Sequence, residues 1–244
     1  MAADDDPSRP LPRAQAPPRP APRAAAAGWW RRTWFNVTRA PWALADLVRA
    51  VGPLRALKVA LRMARAGRRA DPLAALGPPL DAAERLSRRQ LRQVLLLDAA
   101  LREAAGEVAG RAALERVVVR AGARFLRFSL ALPTAARWAR LDAASRRGLV
   151  ERAMRPFFNM QGHVVSDPAA QVAFDVSACW FARLTHDLGR PDLANLFCAA
   201  DALHFDDPAV PVALRRSETL AAGAPRCSFR LSFKAPGDRG ASGP

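Results

Sequence analysis

Gln171-Val-Ala-Phe-Asp-Val-Ser-Ala-Cys179-Trp-Phe-Ala-Arg-Leu-Thr-His-Asp-Leu-Gly189 is the stretch on which the fold turns. Val172, Phe174 and Val176 alternate with other residues, the period of a strand with one buried face, and they lead into Cys179. Residues 180–188 then read as a short helix stopped at Gly189, a residue suited to the position after a helix end. Residues 191–203 read as a second helix, which carries Cys198 and Asp201. Residues 212–220 are expected to be a strand, 221–225 a turn, and 227–233 a strand in which Ser228-Phe-Arg-Leu-Ser-Phe233 alternates. The C-terminal block therefore predicts a β-α-α-β-β unit closing on an antiparallel hairpin.

Upstream the period changes to that of helices. Leu86, Leu91, Val94, Leu95, Ala99 and Leu101 fall on one helix, and Leu114, Val117, Val118, Phe125 and Phe128 on another that Pro133 ends. Asp142 is placed to cap a third, with Leu149, Val150 and Met154 on its inner side, stopping before Pro156. The expected fold class is α+β, a helical N-terminal scaffold followed by the small β-α-α-β-β unit.

Further out lie two segments of different character. Residues 1–28 are Pro, Ala and Arg without periodicity and are expected to be disordered, as is the tail 235–244. Residues 29–79 read as a basic helical arm and a linker. Trp29, Trp30, Trp34, Phe35 and Trp42 crowd its start, and Gly52-Pro53 divides two helices. Arg55, Lys58, Arg62, Arg65 and Arg69 then share a helix face, with Leu54, Leu57 and Leu61 beside them. Such a helix suits an anionic membrane surface, and equally a face packed on its own domain or on a partner subunit, so residues 29–70 are the expected contact for either kind of partner. The folded domain is expected over residues 80–234.

The formal net charge of +16 fits a polyanionic partner or arginines scattered over solvated helix faces. No recognisable nucleic-acid-binding motif accompanies it, so no specific nucleic acid is expected. The three cysteines, all in the last third, are an odd number and form no disulfide framework. They point to a reducing, cytoplasmic setting. No apolar run approaches the roughly 20 residues of a membrane span. The start, Met1-Ala-Ala-Asp-Asp-Asp6, is acidic where a signal peptide is basic. Arg31-Arg32-Thr33-Trp34-Phe35 has the look of a twin-arginine signal, but Asp46 and Arg49 interrupt the apolar segment it would need.

Thiols are strong nucleophiles and soft metal ligands, so chemistry is sought where the cysteines lie. Cys198 and Asp201 are three apart on a helix and share a face. The negative charge of Asp201 raises a neighbouring thiol pKa, so Asp201 suits holding a cationic substrate group or moving protons rather than activating sulfur. His204 follows on nearly the same face, about 9 Å along the axis from Cys198, too far for direct proton transfer. Arg215, Arg216 and Arg226 are candidates to hold a substrate carboxylate. Against this stand blander readings: a lone cysteine is often inert packing, His163, His186 and His204 suit the surface, and Asp201 suits a solvated helix position. The spacing Cys-x18-Cys-x28-Cys lacks the paired knuckles of a zinc site, so no metal or other cofactor is expected, with a Cys-bound metal as the alternative.

One further reading rests on motifs. Cys179-Trp-Phe-Ala-Arg-Leu-Thr-His-Asp-Leu-Gly189-Arg-Pro-Asp-Leu193, Phe197-Cys198-Ala-Ala-Asp201, and Glu218-Thr219-Leu220-Ala-Ala-Gly223 with Cys227-Ser-Phe229 together resemble the L-2-amino-thiazoline-4-carboxylic acid hydrolase family. The resemblance covers about residues 171–232. It implies hydrolysis of a small cyclic amidine or related group: water adds to the ring carbon between nitrogen and sulfur, and the carbon–sulfur bond breaks. Carried over, Cys198 becomes the first-choice nucleophile and Asp201 the group that holds the amidine or moves protons. Cys179, Cys227, Thr219, Arg216 and His204 become substrate-binding candidates for a small-molecule substrate. The same segment is similar to 4-vinyl-reductase-like domains, which implies the alternative of a sensory module binding a small molecule or metal without turnover.

Overall fold

The computed structural model describes residues 41–69, 71–166 and 171–234. The expected tails at 1–28 and 235–244, and the aromatic cluster at Trp29, Trp30, Trp34 and Phe35, lie outside the described residues.

The helical scaffold has the expected elements. Helix α1 runs through residues 41–51 and α2 through Pro53–Arg69, and Pro53 occupies the first position of the second helix as its missing N–H allows. A linker with a short 3-10 turn, Ala74–Leu76, follows. Helix α3, Ala82–Ala105, begins at Asp81, whose carboxylate accepts from the Glu84 N–H at 2.7 Å. Glu84 reaches back to accept from the Leu80 N–H at 3.1 Å, closing a reciprocal cap. Helix α4 spans Glu107–Ser129, α5 Ala135–Ala139 and α6 Ala143–Met154, the last capped by Asp142 as expected.

The arm belongs to the same core as the scaffold. Leu47, Ala56 and Val59 are buried with Val94, Leu101, Leu114 and Leu196. Asp46, itself buried, accepts from Arg124 on α4, with Arg120 at 3.5 Å. Burial raises its pKa, but Arg124 and Arg120 outweigh that and hold the carboxyl below its ordinary range. The inward face of α2 is thus Ala56 and Val59, while Leu54, Leu57 and Leu61 point outward.

The C-terminal unit holds a four-stranded antiparallel sheet in the order β1-β2-β4-β3. Strands β2 (Gln171–Cys179) and β4 (Cys227–Phe233) fall where the alternation put them. Helix α7 is Trp180–Asp187, and α8, Ala194–Asp206, follows a 3-10 turn at Pro191–Leu193. Two details differ from the sequence reading. An additional edge strand, β1 (Met160–Ser166), makes the unit β-β-α-α-β-β. Its pairing with β2 shifts register between Gln161 and Gly162 and again between Val164 and Ser166. These irregularities break the alternation that would have revealed it. Strand β3 is shorter than expected, Val212–Arg215, because the chain leaves the sheet to reach the 3-10 turn Leu220–Ala222.

The sheet has two unlike faces, as antiparallel sheets commonly do. On the inner face Val172, Val212 and Leu231 pack with Trp138, Val150 and Phe205 of the helices. On the outer face buried Asp175 takes an ion pair from Arg230 at 2.8 Å and another from Arg226 at 3.3 Å. Helix α8 lies closely on α4: a Cβ built on Gly122 would sit 2.5 Å from the Cβ of Ala200. Only glycine at 122 permits this approach. Among the described residues no helix is long and apolar enough to cross a membrane.

Candidate active site

Between the inner face of the sheet and helices α3, α4, α6 and α8 lies a cavity of about 770 Å³. Three local features bring the cysteines to it. In β2 the register pairs Gly162 with Val176 but Gln161 with Ala178, which leaves Ser177 as an extra residue. This bulge resets the alternation. Cys179 therefore lines the cavity along with Val172, Phe174 and Val176. In β4 the period of two runs unbroken, so Cys227, Phe229 and Leu231 all line it. From α8 come Cys198 and Asp201, three apart on one face.

Arg216, just past β3, closes this polar end. Its Nη1 donates to Asp201 Oδ2 at 2.6 Å and its Nη2 to the Cys198 carbonyl at 2.9 Å. The guanidinium also lies 5.1 Å from the Phe229 ring centre, a cation–π distance. Both partners are mostly withdrawn from water, Arg216 at 10% exposure and Asp201 at 22%. Burial pushes the Asp201 carboxyl up to about 6 even against Arg216.

The thiols respond to the same surroundings. Burial pushes Cys198 up to about 12, with Arg216 opposing and Asp201 adding to it. Burial likewise takes Cys179 to about 11, although it stands at the start of α7, where the Ala182 and Phe181 amides favour the thiolate. Cys227 is raised too, chiefly by burial, and its Sγ accepts from the Leu220 N–H at 3.2 Å. All three cysteines are free thiols. At neutral pH they are protonated, so any nucleophilic role needs a base beside the sulfur. Asp201, raised to about 6, is largely ionised at neutral pH. Among the described residues no three His, Cys, Asp or Glu side chains come together as a metal-holding group.

Two expected substrate contacts lie away from the cavity wall. Thr219 caps the 3-10 turn, its Oγ1 accepting from the Ala222 N–H at 3.2 Å, while the adjacent Leu220 and Ala221 line the cavity instead. His204 is buried edge-on against Phe205, and burial holds its imidazole below the ordinary pKa. It is not among the cavity-lining residues, and its Nε2 has no hydrogen-bond partner among the described residues. Of the other candidates, Arg226 pairs with Glu218 at 2.8 Å on the outer side of the sheet. His163 sits exposed on β1.

The turn motif is structural. Gly189 has φ +66°, a left-handed conformation that favours glycine. Asp192 accepts from Arg111 of α4 and Arg190, and Arg190 also donates to buried Asp98 of α3 at 2.8 Å. This network ties the entry of α8, and with it Cys198, to the helical scaffold. The sequence reading missed the apolar remainder of the wall: Phe125, Leu130, Leu149 and Met154 from the helices, and the stacked pair Phe181 and Phe197, 4.0 Å between ring centres. Helical periodicity marked several of these only as inward-facing, and periodicity does not distinguish a core from a cavity.

No curated protein and no solved structure matches the chain. A family model does, over residues 88–231, which takes in most of α3 and the whole of α4 as well as the cysteine block. With more than half of its length matched, the chain belongs to the L-2-amino-thiazoline-4-carboxylic acid hydrolase family.

Proposed function

We propose that this protein is a hydrolase that opens a cyclic amidine or a related carbon–nitrogen or carbon–sulfur bond, with Cys198 and Asp201 at the reacting centre. One observation carries the reading: within the family-matched region, Cys198, Asp201 and Arg216 meet at the polar end of one cavity. For the ring the family is named for, the step balances as follows. Cys198 Sγ attacks the carbon between nitrogen and sulfur as Asp201 takes the thiol proton. The ring carbon–sulfur bond breaks, and the leaving sulfur receives that proton. Water then adds to the same carbon, one of its protons passing to Asp201 and the other to the former ring nitrogen as the carbonyl forms, and the Cys198 thiolate is expelled and reprotonated by Asp201. The product is an N-carbamoyl thiol, and Arg216 is the cation available to a substrate carboxylate.

Purified protein incubated with 2-amino-thiazoline-4-carboxylate should release free thiol, measured with a chromogenic disulfide. Cys198→Ser and Asp201→Ala should each lose at least a hundredfold in kcat/KM. Undiminished turnover in either variant removes that residue from the assignment.

A second reading, a ligand-binding module without turnover, draws support from the raised thiol pKa values, which leave no sulfur ionised at neutral pH. Ligand binding without thiol release under the same assay would favour it. For the contact surface assigned to residues 29–70, the outward face of α2 is the supporting feature. There Leu54 is 77%, Leu57 58% and Leu61 48% exposed, in a helix that also carries Arg55 and Lys58. Flotation with anionic vesicles, lost in a variant with all three leucines changed to serine, tests the membrane form of that proposal.

A further inference from the structure

The cavity is built for something larger than a single small ring. From the polar end, its wall follows the inner face of the sheet through the paired residues Val176 and Cys227, then Phe174 and Phe229, then Val172 and Leu231. At a rise of about 3.3 Å per residue, these pairs carry the wall about 13 Å from the thiols. Beyond Phe229 the helical side of the wall is apolar, with Leu130, Leu132 and Leu149 packed towards Val172 and Leu231, while the polar lining side chains Arg89, Gln90 and Gln93 come from α3. The volume of about 770 Å³ lies in the range of sites that hold drug-sized ligands, which run from about 300 to 1,000 Å³. A compact ring bearing one carboxylate would leave most of such a wall uncovered.

We infer that the ligand is an amphiphile: an extended alkyl body lying along the strands, with one nitrogen-containing polar head, an amide or amidine, set against the paired Asp201 and Arg216. The head class follows from the pair of groups at that end. Asp201 accepts hydrogen bonds and Arg216 donates them, and together they match a head that both donates and accepts. The body class follows from the one-dimensional apolar ladder and its aromatic walls. As a statement about substrate this rests on the hydrolase reading; as a statement about binding it does not.

The test is titration calorimetry of the full chain carrying Cys198→Ser, so that no turnover intervenes, with straight-chain butyl, octyl and dodecyl amides and amidinium salts. Affinity should climb along the series, by up to roughly fourfold per buried methylene. Leu132→Phe fills the distal end and should erase the gain from octyl to dodecyl while leaving butyl binding intact; should that variant fail to fold by circular dichroism, Leu130→Phe replaces it. Affinity that is flat along the series, or dodecyl binding unchanged in a folded filling variant, overturns the inference. Turnover of a small cyclic amidine with a flat series leaves the hydrolase reading standing and sinks this one. A rising series with no turnover by the unmodified protein does the reverse.

Discussion

Arg216 holds both central site residues at once, donating to the Asp201 carboxylate at 2.6 Å and to the Cys198 carbonyl at 2.9 Å. Its removal leaves a carboxylate out of water without its cation. Breaking one side of a buried pair is costly because the remaining charge is stranded. Arg216→Met should therefore destabilise the fold by about 2–3 kcal/mol. The double variant Arg216→Met with Asp201→Asn should recover much of that loss. Denaturant midpoints for the two singles and the double measure the coupling; strictly additive costs would show that the pair does not act as a unit.

Asp201 sets a pH dependence. Its ordinary carboxyl value is 3.8 and in the folded chain it is about 6, so the folded state binds this proton more tightly than the unfolded one. The stabilisation is full below 3.8 and is lost as pH rises through about 6. From this group alone, stability falls by about 2–3 kcal/mol across that window and is level above it. In the proposed hydrolysis the dependence runs the opposite way, since only the carboxylate accepts a proton: kcat/KM should rise through about pH 6. Melting curves from pH 4 to 8 on the unmodified chain and Asp201→Asn should diverge in this window, the variant lacking the slope.

The thiols should be sluggish towards alkylation. A thiol at about 12 is roughly a thousandfold less ionised at pH 8 than one at the ordinary 9.0. Iodoacetamide should therefore label Cys198 in the native chain about a thousandfold more slowly than after denaturation, with Cys179 protected somewhat less. Peptide mass spectrometry of timed samples reads this site by site. Rapid native labelling of Cys198 would mean that its surroundings stabilise the thiolate.

The α4–α8 approach is a packing constraint with a partner-specific test. Gly122→Ala places a methyl where the Ala200 methyl already lies and should cost about 1–3 kcal/mol. Ala200→Gly in the same chain should restore part of that loss, although glycine within α8 itself costs about 1 kcal/mol. Thermal melts of the two singles and the double decide it.

Much of the architecture was legible in local patterns. Asp142 and Gly189 marked helix ends through the chemistry of those positions, and the unbroken alternation of Ser228 to Phe233 located β4. Strand β1 was not legible because Gly162 and two register shifts interrupt its period. Within the site, Cys198 and Asp201 could be joined from their spacing on one helix. Thr219 and His204 looked equally eligible, yet one caps a turn and the other packs on Phe205. Asp192 looked like part of a functional motif and is an anchor for α8, held by Arg111 and Arg190, a role set by residues far away in sequence.

By itself, the sequence determined the succession of helices and strands, the α+β class and the family, since all of these rest on short-range periods, caps and motifs. Only the tertiary structure decided that the three thiols, Asp201 and Arg216 meet at one end of a long apolar cavity. That meeting depends on a bulge at Ser177, on the antiparallel register of β2 with β4, and on the closeness of α4 to α8 at Gly122. Each is a relation between distant segments, and so is the burial that raises the thiols and Asp201; neither can be read from a residue's own neighbours in the chain.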